Sequence, residues 1–146
     1  MAIVSCKRVT GSPLIRYYDE DNALSANDFQ VGDLVALNTD GELVLGTAGN
    51  ILGIAQKAAT GVDNTKIPVD VLIGDEFSIP WTSEATTETL LNDIADVTFT
   101  TGAQVLTGGG TTDCIVCDFD DPVGTSGGRV IARVIPAAQQ FASGAE

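Results

Sequence analysis

The feature that most constrains the fold of this chain is a succession of short apolar segments, each ended by a turn after a few residues. Residues 31–37, 42–45 and 51–55 are three such segments, and the first shows the period-two alternation that is typical of a strand. Asp40-Gly41 supplies the positive φ values that a tight hairpin turn needs, and residues 47–50 form a second turn. Three strands joined by short turns predict an antiparallel meander.

Later segments continue this pattern. Apolar side chains alternate over residues 67–73, so they are predicted to point inward and Asp70 outward. Residues 97–100 and 104–106 are brief strands, and residues 130–135 close the series. The chain is therefore expected to be built almost entirely from short strands.

One short helix is predicted between the two groups of strands. Thr82 or Ser83 is suited to cap its N-terminus, because a hydroxyl can accept a free backbone N–H there. Leu90, Leu91 and Ile94 then fall at the spacing of one helical face. This helix is expected to cover one end of the β core.

Together these elements predict a mainly β fold, a small β-barrel or β-tulip-like body of about eight to nine short antiparallel strands with one short helix. A sandwich fits the same pattern. Residues 1–20 are assigned to an extended N-terminal arm, residues 21–136 to the β-rich body and residues 137–146 to a C-terminal tail. A chain of 146 residues is long enough to bury a core without a metal or disulfide.

Charge divides the chain unevenly. Lys7, Arg8 and Arg16 are the only charged residues before Asp19, and all 20 acidic residues come after them in a chain of formal charge −13. A cationic segment on an anionic body indicates that the two parts meet different surfaces. The alternative is an ordinary first strand with solvated charges. Nucleic acid is not expected as a partner, because phosphate binding needs clustered cations.

The residue types needed for most catalysis are missing. With no histidine, the chain lacks histidine acid–base chemistry, Ser-His-Asp triads and histidine metal sites. Cys114 and Cys117 form a C-x-x-C motif, but in a predicted strand their sulfurs point to opposite faces, which favours a packing role over redox chemistry. Neither an enzyme, a metal site nor a cofactor is predicted.

Two acidic clusters and three large aromatic residues are the remaining candidate sites. Residues 19–21 and 118–121 are rich in carboxylates that could bind Ca²⁺, but neither matches a calcium loop, so solvated turns are favoured. Trp81, Tyr17 and Tyr18 are suited to anchor an interface. Trp81 could equally close the core.

The N-terminus shows neither the long apolar run nor the cleavage site of a signal peptide. Apolar stretches of a few residues are too short to cross a membrane. The chain is therefore expected to be a soluble protein made in a cytoplasm, with no membrane partner.

Several motifs resemble those of a known family. Residues 31–37 (VGDLVAL), Asp40-Gly41, residues 53–55 (GIA) and residues 69–74 (VDVLIG) follow the order found in tailed-bacteriophage capsid cement, or head decoration, proteins. The likeness covers roughly residues 25–80 and, more loosely, residues 129–135.

The resemblance implies a virion structural protein that binds the outer surface of an assembled capsid and stabilises the junctions between capsomers. It implies the major capsid protein and further copies of this chain, as a homotrimer, as partners, after synthesis in the cytoplasm of a bacterial host. In this family the N-terminal arm pairs with capsid strands. The candidate capsid-contact residues are accordingly Ile3, Val4, Lys7, Arg8, Leu14, Ile15, Arg16, Tyr17 and Tyr18, with Trp81 as a possible interface residue.

The main alternative is a carbohydrate- or receptor-binding β module displayed on a phage head. Such a module would use Trp81, Tyr17 and exposed aspartates, since aromatic stacking and carboxylate hydrogen bonds recognise sugars. Glycan binding and ordered density on heads distinguish the two functions.

Overall fold

The computed structural model describes residues 5–82 and 85–140, which fold into eleven strands in two antiparallel sheets. The prediction of a mainly β fold is confirmed. The six-stranded sheet has the order β1 (Lys7–Arg8), β7 (Phe77–Pro80), β11 (Arg129–Val134), β10 (Cys114–Phe119), β8 (Ile94–Thr98) and β9 (Val105–Thr107). The five-stranded sheet has the order β2 (Ile15–Asp19), β6 (Lys66–Val71), β5 (Gly53–Ala55), β3 (Leu34–Leu37) and β4 (Leu43–Leu45).

The two faces of the five-stranded sheet carry two hydrophobic clusters. Leu34 and Ile54 pack with Phe77 of the six-stranded sheet, so the first cluster lies between the sheets. Val35 and Val69 belong to the second cluster, on the opposite face, which the loop residue Phe29 helps to cover. Successive residues of a strand point to opposite faces, and the three central strands β6, β5 and β3 are therefore buried on both.

The hairpin of β3 and β4 forms as predicted, but the meander is wrong. Leu34 and Val35 of β3 pair with Ile54 and Gly53 of β5, so the third strand joins the first and not the second. β3 has three buried residues and takes a central position, whereas β4 has one and lies at the edge. The strand order is therefore set by the burial of β3, which pairs with β4 on one side and β5 on the other.

The sequence left both a barrel and a sandwich open, and the two sheets of the described chain do not close into a barrel. The two edge strands of the five-stranded sheet, β2 and β4, approach each other through one isolated bridge, Glu20–Leu43. No ladder joins them within the described residues. The body is therefore a pair of packed sheets with open edges, a property that no single segment of the sequence displays.

The predicted helix is a single 3₁₀ turn, Glu88–Leu90. Thr82 does not cap it, because its N–H donates to Leu106 O in a neighbouring strand, and Ser83 lies outside the described residues. Asn92 donates to Val116 O of β10, and Ile94 already begins β8. Pairing with the sheet thus outcompetes the local helical spacing of the leucines.

Both ends of the described chain lie against the body. β1 pairs with β7 and β2 with β6, so residues 7–8 and 15–19 are part of the two sheets. At the other end, the side chain of Gln140 accepts the Leu37 N–H at 2.8 Å and donates to Leu37 O at 3.0 Å. Residues 137–140 are therefore packed, and residues 141–146 lie outside the described part.

Candidate functional site

The leading segment lies along one edge of each sheet. β1 contributes two residues to the edge of the six-stranded sheet, and β2 contributes five to the edge of the five-stranded sheet. These are the residues in which the sequence concentrates its candidate contacts. The two strands use their side chains differently.

Arg8 of β1 is committed to the interior of the fold. Its Nε and Nη2 donate to the two carboxylate oxygens of Asp70 on β6, at 2.9 and 2.7 Å. Its remaining donors reach Asp75, Thr10 O and Val71 O. All five guanidinium N–H groups are thereby used, and the hydrogen bonds to Asp70 are the main reason that the pKa of Arg8 is raised.

This ion pair corrects one prediction and bears on a second. Asp70 is predicted to point outward, but it is 4% exposed, because Arg8 from the other sheet neutralises it. Arg8 is predicted to contact a capsid, but its side chain is 8% exposed and joins the two sheets. A buried charge needs such a partner, and Arg8 is a structural residue.

β2, in contrast, leaves its outer edge open. Glu20 N–H donates to Thr65 O and Val71 N–H donates to Leu14 O, so the even-numbered residues of β2 hydrogen-bond to β6. In an antiparallel pair the alternate residues then direct their N–H and C=O groups away from the partner strand. Ile15 and Tyr17 therefore direct backbone donors and acceptors away from β6, to a side where no strand of the described chain pairs with them.

The side chains around this edge are exposed and largely apolar. Leu14, Ile15 and Tyr17 are 37%, 42% and 63% exposed, and Arg16 is exposed between them. Long, flat and apolar edge strands are the type that adds a strand from another chain. We call the stretch from Leu14 to Tyr17 the β2 edge.

The edge of β1 exposes less unpaired backbone than the β2 edge. Cys6 N–H already donates to Gly32 O at 2.8 Å, which closes one end of it. A cleft of about 330 Å³ lies beside it, and Lys7, Val31 and Ile54 are among the residues that line it. With only two residues in β1, the β2 edge is the longer open surface.

The other predicted contact residues are distributed differently. Tyr18 packs against the second hydrophobic cluster, whereas Lys7 is exposed. Trp81 is 4% exposed within the first cluster, so it closes the core and is not a surface anchor. Ile3 and Val4 lie outside the described residues.

Buried carboxylates are a feature that the sequence analysis missed. Glu20, from a cluster predicted to be a solvated turn, is fully buried and accepts hydrogen bonds from Thr60 and Gly61. Asp33 and Asp113 are also fully buried, and each accepts a backbone N–H from a loop distant in sequence, Gly102 for Asp33 and Gly49 for Asp113. These carboxylates fix loops on the body, and the one available signal was their position beside strand ends.

The cluster at residues 118–121 is likewise engaged within the chain. Asp120 accepts the Ser78 hydroxyl at 2.6 Å, and Asp121 accepts the Arg129 N–H at 2.7 Å. In the described residues no group of three or more Cys, Asp or Glu side chains is arranged to hold a metal ion.

The thiols are not activated. Cys6 and Cys114 are buried, and burial raises the pKa of each. Cys117 is partly exposed, and burial is again the largest cause of its raised pKa, which the nearby Arg133 opposes. Because the thiolate is the reactive form, none of the three has the environment of a nucleophile.

Comparison of the chain with models of protein families, with curated proteins and with solved structures finds no match. Among the described residues, no helix is long and apolar enough to cross a membrane. A functional interpretation therefore depends on the surfaces of the molecule itself, above all on the β2 edge.

Proposed function

We propose that this chain is a virion structural protein that binds the outer surface of an assembled phage capsid and reinforces its capsomer junctions. The observation that carries the proposal is the β2 edge, an open strand edge with exposed apolar side chains. The motif resemblance over roughly residues 25–80 supplies the class of partner, the major capsid protein.

The contact would form by strand addition. Ile15 and Tyr17 direct unpaired N–H and C=O groups outward, and an extended capsid segment can satisfy them while its side chains pack on Leu14 and Tyr17. The paired strands of residues 7–8 and 15–19 change one part of the expected mechanism. The chain offers an edge to a capsid strand instead of inserting a free arm.

Charge supports an acidic surface on the capsid side. Arg16 lies on the β2 edge and Lys7 on the neighbouring β1, and both are exposed, whereas the chain as a whole carries −13. Attraction between these two cations and an acidic capsid surface, with repulsion between that surface and the rest of the anionic chain, would orient the protein as it approaches. The effect on a head follows from mass action, because a ligand of the assembled lattice stabilises it by its binding free energy.

The test separates backbone pairing from side-chain contact at one position. Tyr17→Pro removes the outward N–H, and Tyr17→Ala keeps it while removing the ring. On purified heads from the phage that encodes this chain, strand addition predicts at least a tenfold loss of affinity for the proline variant (each tenfold step is about 1.4 kcal/mol) and a smaller loss for the alanine variant.

Deletion of residues 2–18 is not a suitable test, because it would remove strands from both sheets. Full occupancy by Tyr17→Pro, with its unfolding midpoint unchanged, would contradict binding at the β2 edge. Absence of wild-type protein from the heads would contradict the function itself.

A carbohydrate- or receptor-binding module is the second candidate, and the exposure of Tyr17 is the observation that favours it. Its other predicted aromatic, Trp81, is buried, which leaves one stacking surface. A glycan array in which the wild type binds and Tyr17→Ala does not would support this function over the first.

A further inference from the structure

The outer face of the six-stranded sheet carries a second surface, independent of the β2 edge. Val9 donates its N–H to Glu76 O beside β7. Phe77 pairs with Ala132, and the next step of that register places Glu76 opposite Arg133. Arg133 pairs with Ile115, and Ile115 pairs with Ile94. These five residues form one row, here called the outer row, in which Val9 and Glu76 lie just beyond β1 and β7 and the other three lie within strands.

The outer row is accessible. Val9 and Ile94 at its ends are 44% and 39% exposed, Arg133 is exposed, and Glu76 and Ile115 are partly exposed. Glu76, Arg133 and Ile115 line one shallow depression together with Leu91 and Cys117. No element of the described chain covers this face.

Cys117 marks the same surface. The pairing of β10 with β11 shifts register between Val116 and Asp118, which leaves Cys117 as the extra residue of a β-bulge. A bulge bends a strand and redirects its side chain. Cys117 is also the one described cysteine that is not buried, so it provides a native chemical probe of this face.

Four consecutive residues of the row have a distinctive order. From β1 to β10 they read apolar, acidic, basic, apolar, in Val9, Glu76, Arg133 and Ile115. Reversal of this order gives apolar, basic, acidic, apolar. If the row of one copy faces the same row of a second copy in reverse order, each acidic residue lies opposite a basic one and each apolar residue opposite an apolar one.

We propose that the outer row is the contact between two copies of this chain, related by a two-fold axis parallel to the strands between β7 and β11. In this arrangement Glu76 of each copy meets Arg133 of the other, and Val9 meets Ile115. A two-fold contact uses the same patch on both copies, and the row has the complementarity that this requires.

The overall charge favours this face over others. Two chains of charge −13 repel each other over most of their surfaces. At the outer row an acid and a base lie side by side, so local repulsion is small and reciprocal attraction is available. The contact is a pair, in contrast to the homotrimer that the motif resemblance implies, and it does not depend on binding to a capsid.

The test uses two charge reversals, Arg133→Glu and Glu76→Arg. Each alone places like charges opposite each other in a pair of identical copies. In an equimolar mixture, however, one chain carries two acids at these positions and the other carries two bases, so mixed pairs are complementary again. A contact confined to one chain cannot be restored by mixing.

Analytical ultracentrifugation of the wild type is expected to show a species of two 15.1 kDa chains. Each reversal is expected to weaken the pair about tenfold or more, and the mixture is expected to return to the wild-type mass. Lys57→Glu and Glu88→Arg are matched controls, because they change an exposed charge by the same amount outside the row and should leave the pair intact.

Association is also expected to slow alkylation of Cys117 as protein concentration rises, and this measurement needs no variant. A wild type that stays at the mass of one chain at about 100 µM would overturn the inference, since a pair with a weaker dissociation constant than that has a binding free energy below about 5.5 kcal/mol. A trimer, or a mixture no better associated than its components, would overturn it too. Binding to heads by the β2 edge would stand in each of these cases.

Discussion

β1 and β2 come from the same short basic segment, yet they serve different purposes. Arg8 of β1 donates all its guanidinium N–H groups to acceptors of the same chain, and its hydrogen bonds to Asp70 join the two sheets. Arg16 of β2 is exposed beside Tyr17 on an open edge. The comparison shows that charge in a sequence does not identify a contact surface until the partner of each charge within the fold is known.

The strongest way to test this comparison is to remove the internal arginine. Arg8→Ala leaves the buried Asp70 carboxylate without its partner, and breaking a buried ion pair in this way costs about 3–5 kcal/mol. Chemical denaturation should show a fall of that size in the free energy of unfolding.

Its neighbour provides the control. Lys7→Ala changes an exposed residue of the same strand and should alter the free energy of unfolding by less than about 0.5 kcal/mol. Equal effects of the two substitutions would mean that Arg8 does not hold the sheets together. Arg8→Lys should not rescue stability, because one ammonium cannot reproduce the paired hydrogen bonds.

Proline substitutions sharpen the comparison within β2. Arg16→Pro removes an N–H that bonds to β6, whereas Tyr17→Pro removes one that points outward. The free energy of unfolding should fall by about 1–3 kcal/mol more for Arg16→Pro, since it leaves an acceptor of the ladder unpaired. A similar fall in the free energy of unfolding for both variants would show that the Tyr17 N–H is also hydrogen-bonded within the fold, and that the β2 edge is not open.

A charge reversal at Arg16 is expected to change binding to heads without changing the stability of the fold. Arg16→Glu should leave the free energy of unfolding within about 0.5 kcal/mol of the wild type and should weaken binding to heads, more so at low salt. Lys57→Glu carries the same change of charge two strands away and should bind nearly as the wild type does. Titration of heads at two salt concentrations measures both.

The smallest expected effect is on acid stability. Partial burial opposes ionisation of Asp96, but hydrogen bonds from Thr112 and Thr111 outweigh it and lower the pKa of Asp96 below its ordinary value of 3.8. A lowered pKa in the folded state stabilises the fold above the ordinary value, and this contribution disappears as pH falls through the lowered one.

Asp96→Asn should accordingly be less stable than the wild type at neutral pH, and the difference should narrow below about pH 4. Denaturation at a series of pH values from 6 to 3 checks this. A difference that stays constant with pH would show that the charge of Asp96 contributes nothing.

The local predictions that held depend on neighbours in sequence. The hairpin of β3 and β4 follows from alternating residues on both sides of Asp40-Gly41, and Gly41 has the positive φ, 75°, that the turn requires. Cys114 is buried and Cys117 is partly exposed, in line with the predicted opposite faces of a strand, although the bulge at Cys117 was not predicted. Such features need no information from distant parts of the chain.

The predictions that failed depend on distant partners. Asp70 is read as a solvent-facing residue of an alternating strand until Arg8, 62 residues away, is seen to meet it. The leucines near residue 90 have helical spacing, but β10 supplies hydrogen bonds that a short isolated helix cannot match. Trp81 could close a core or anchor an interface, and only packing decides between these.

The sequence by itself determined that this chain forms short antiparallel strands, because period-two alternation and turn residues act over a few positions. It also determined where positive charge is concentrated. The tertiary structure alone decided which strand edges stay open, which arginine is internal and which residues share the outer row. These depend on which segments become neighbours, and neighbours far apart in sequence are selected by the burial and pairing of the whole chain.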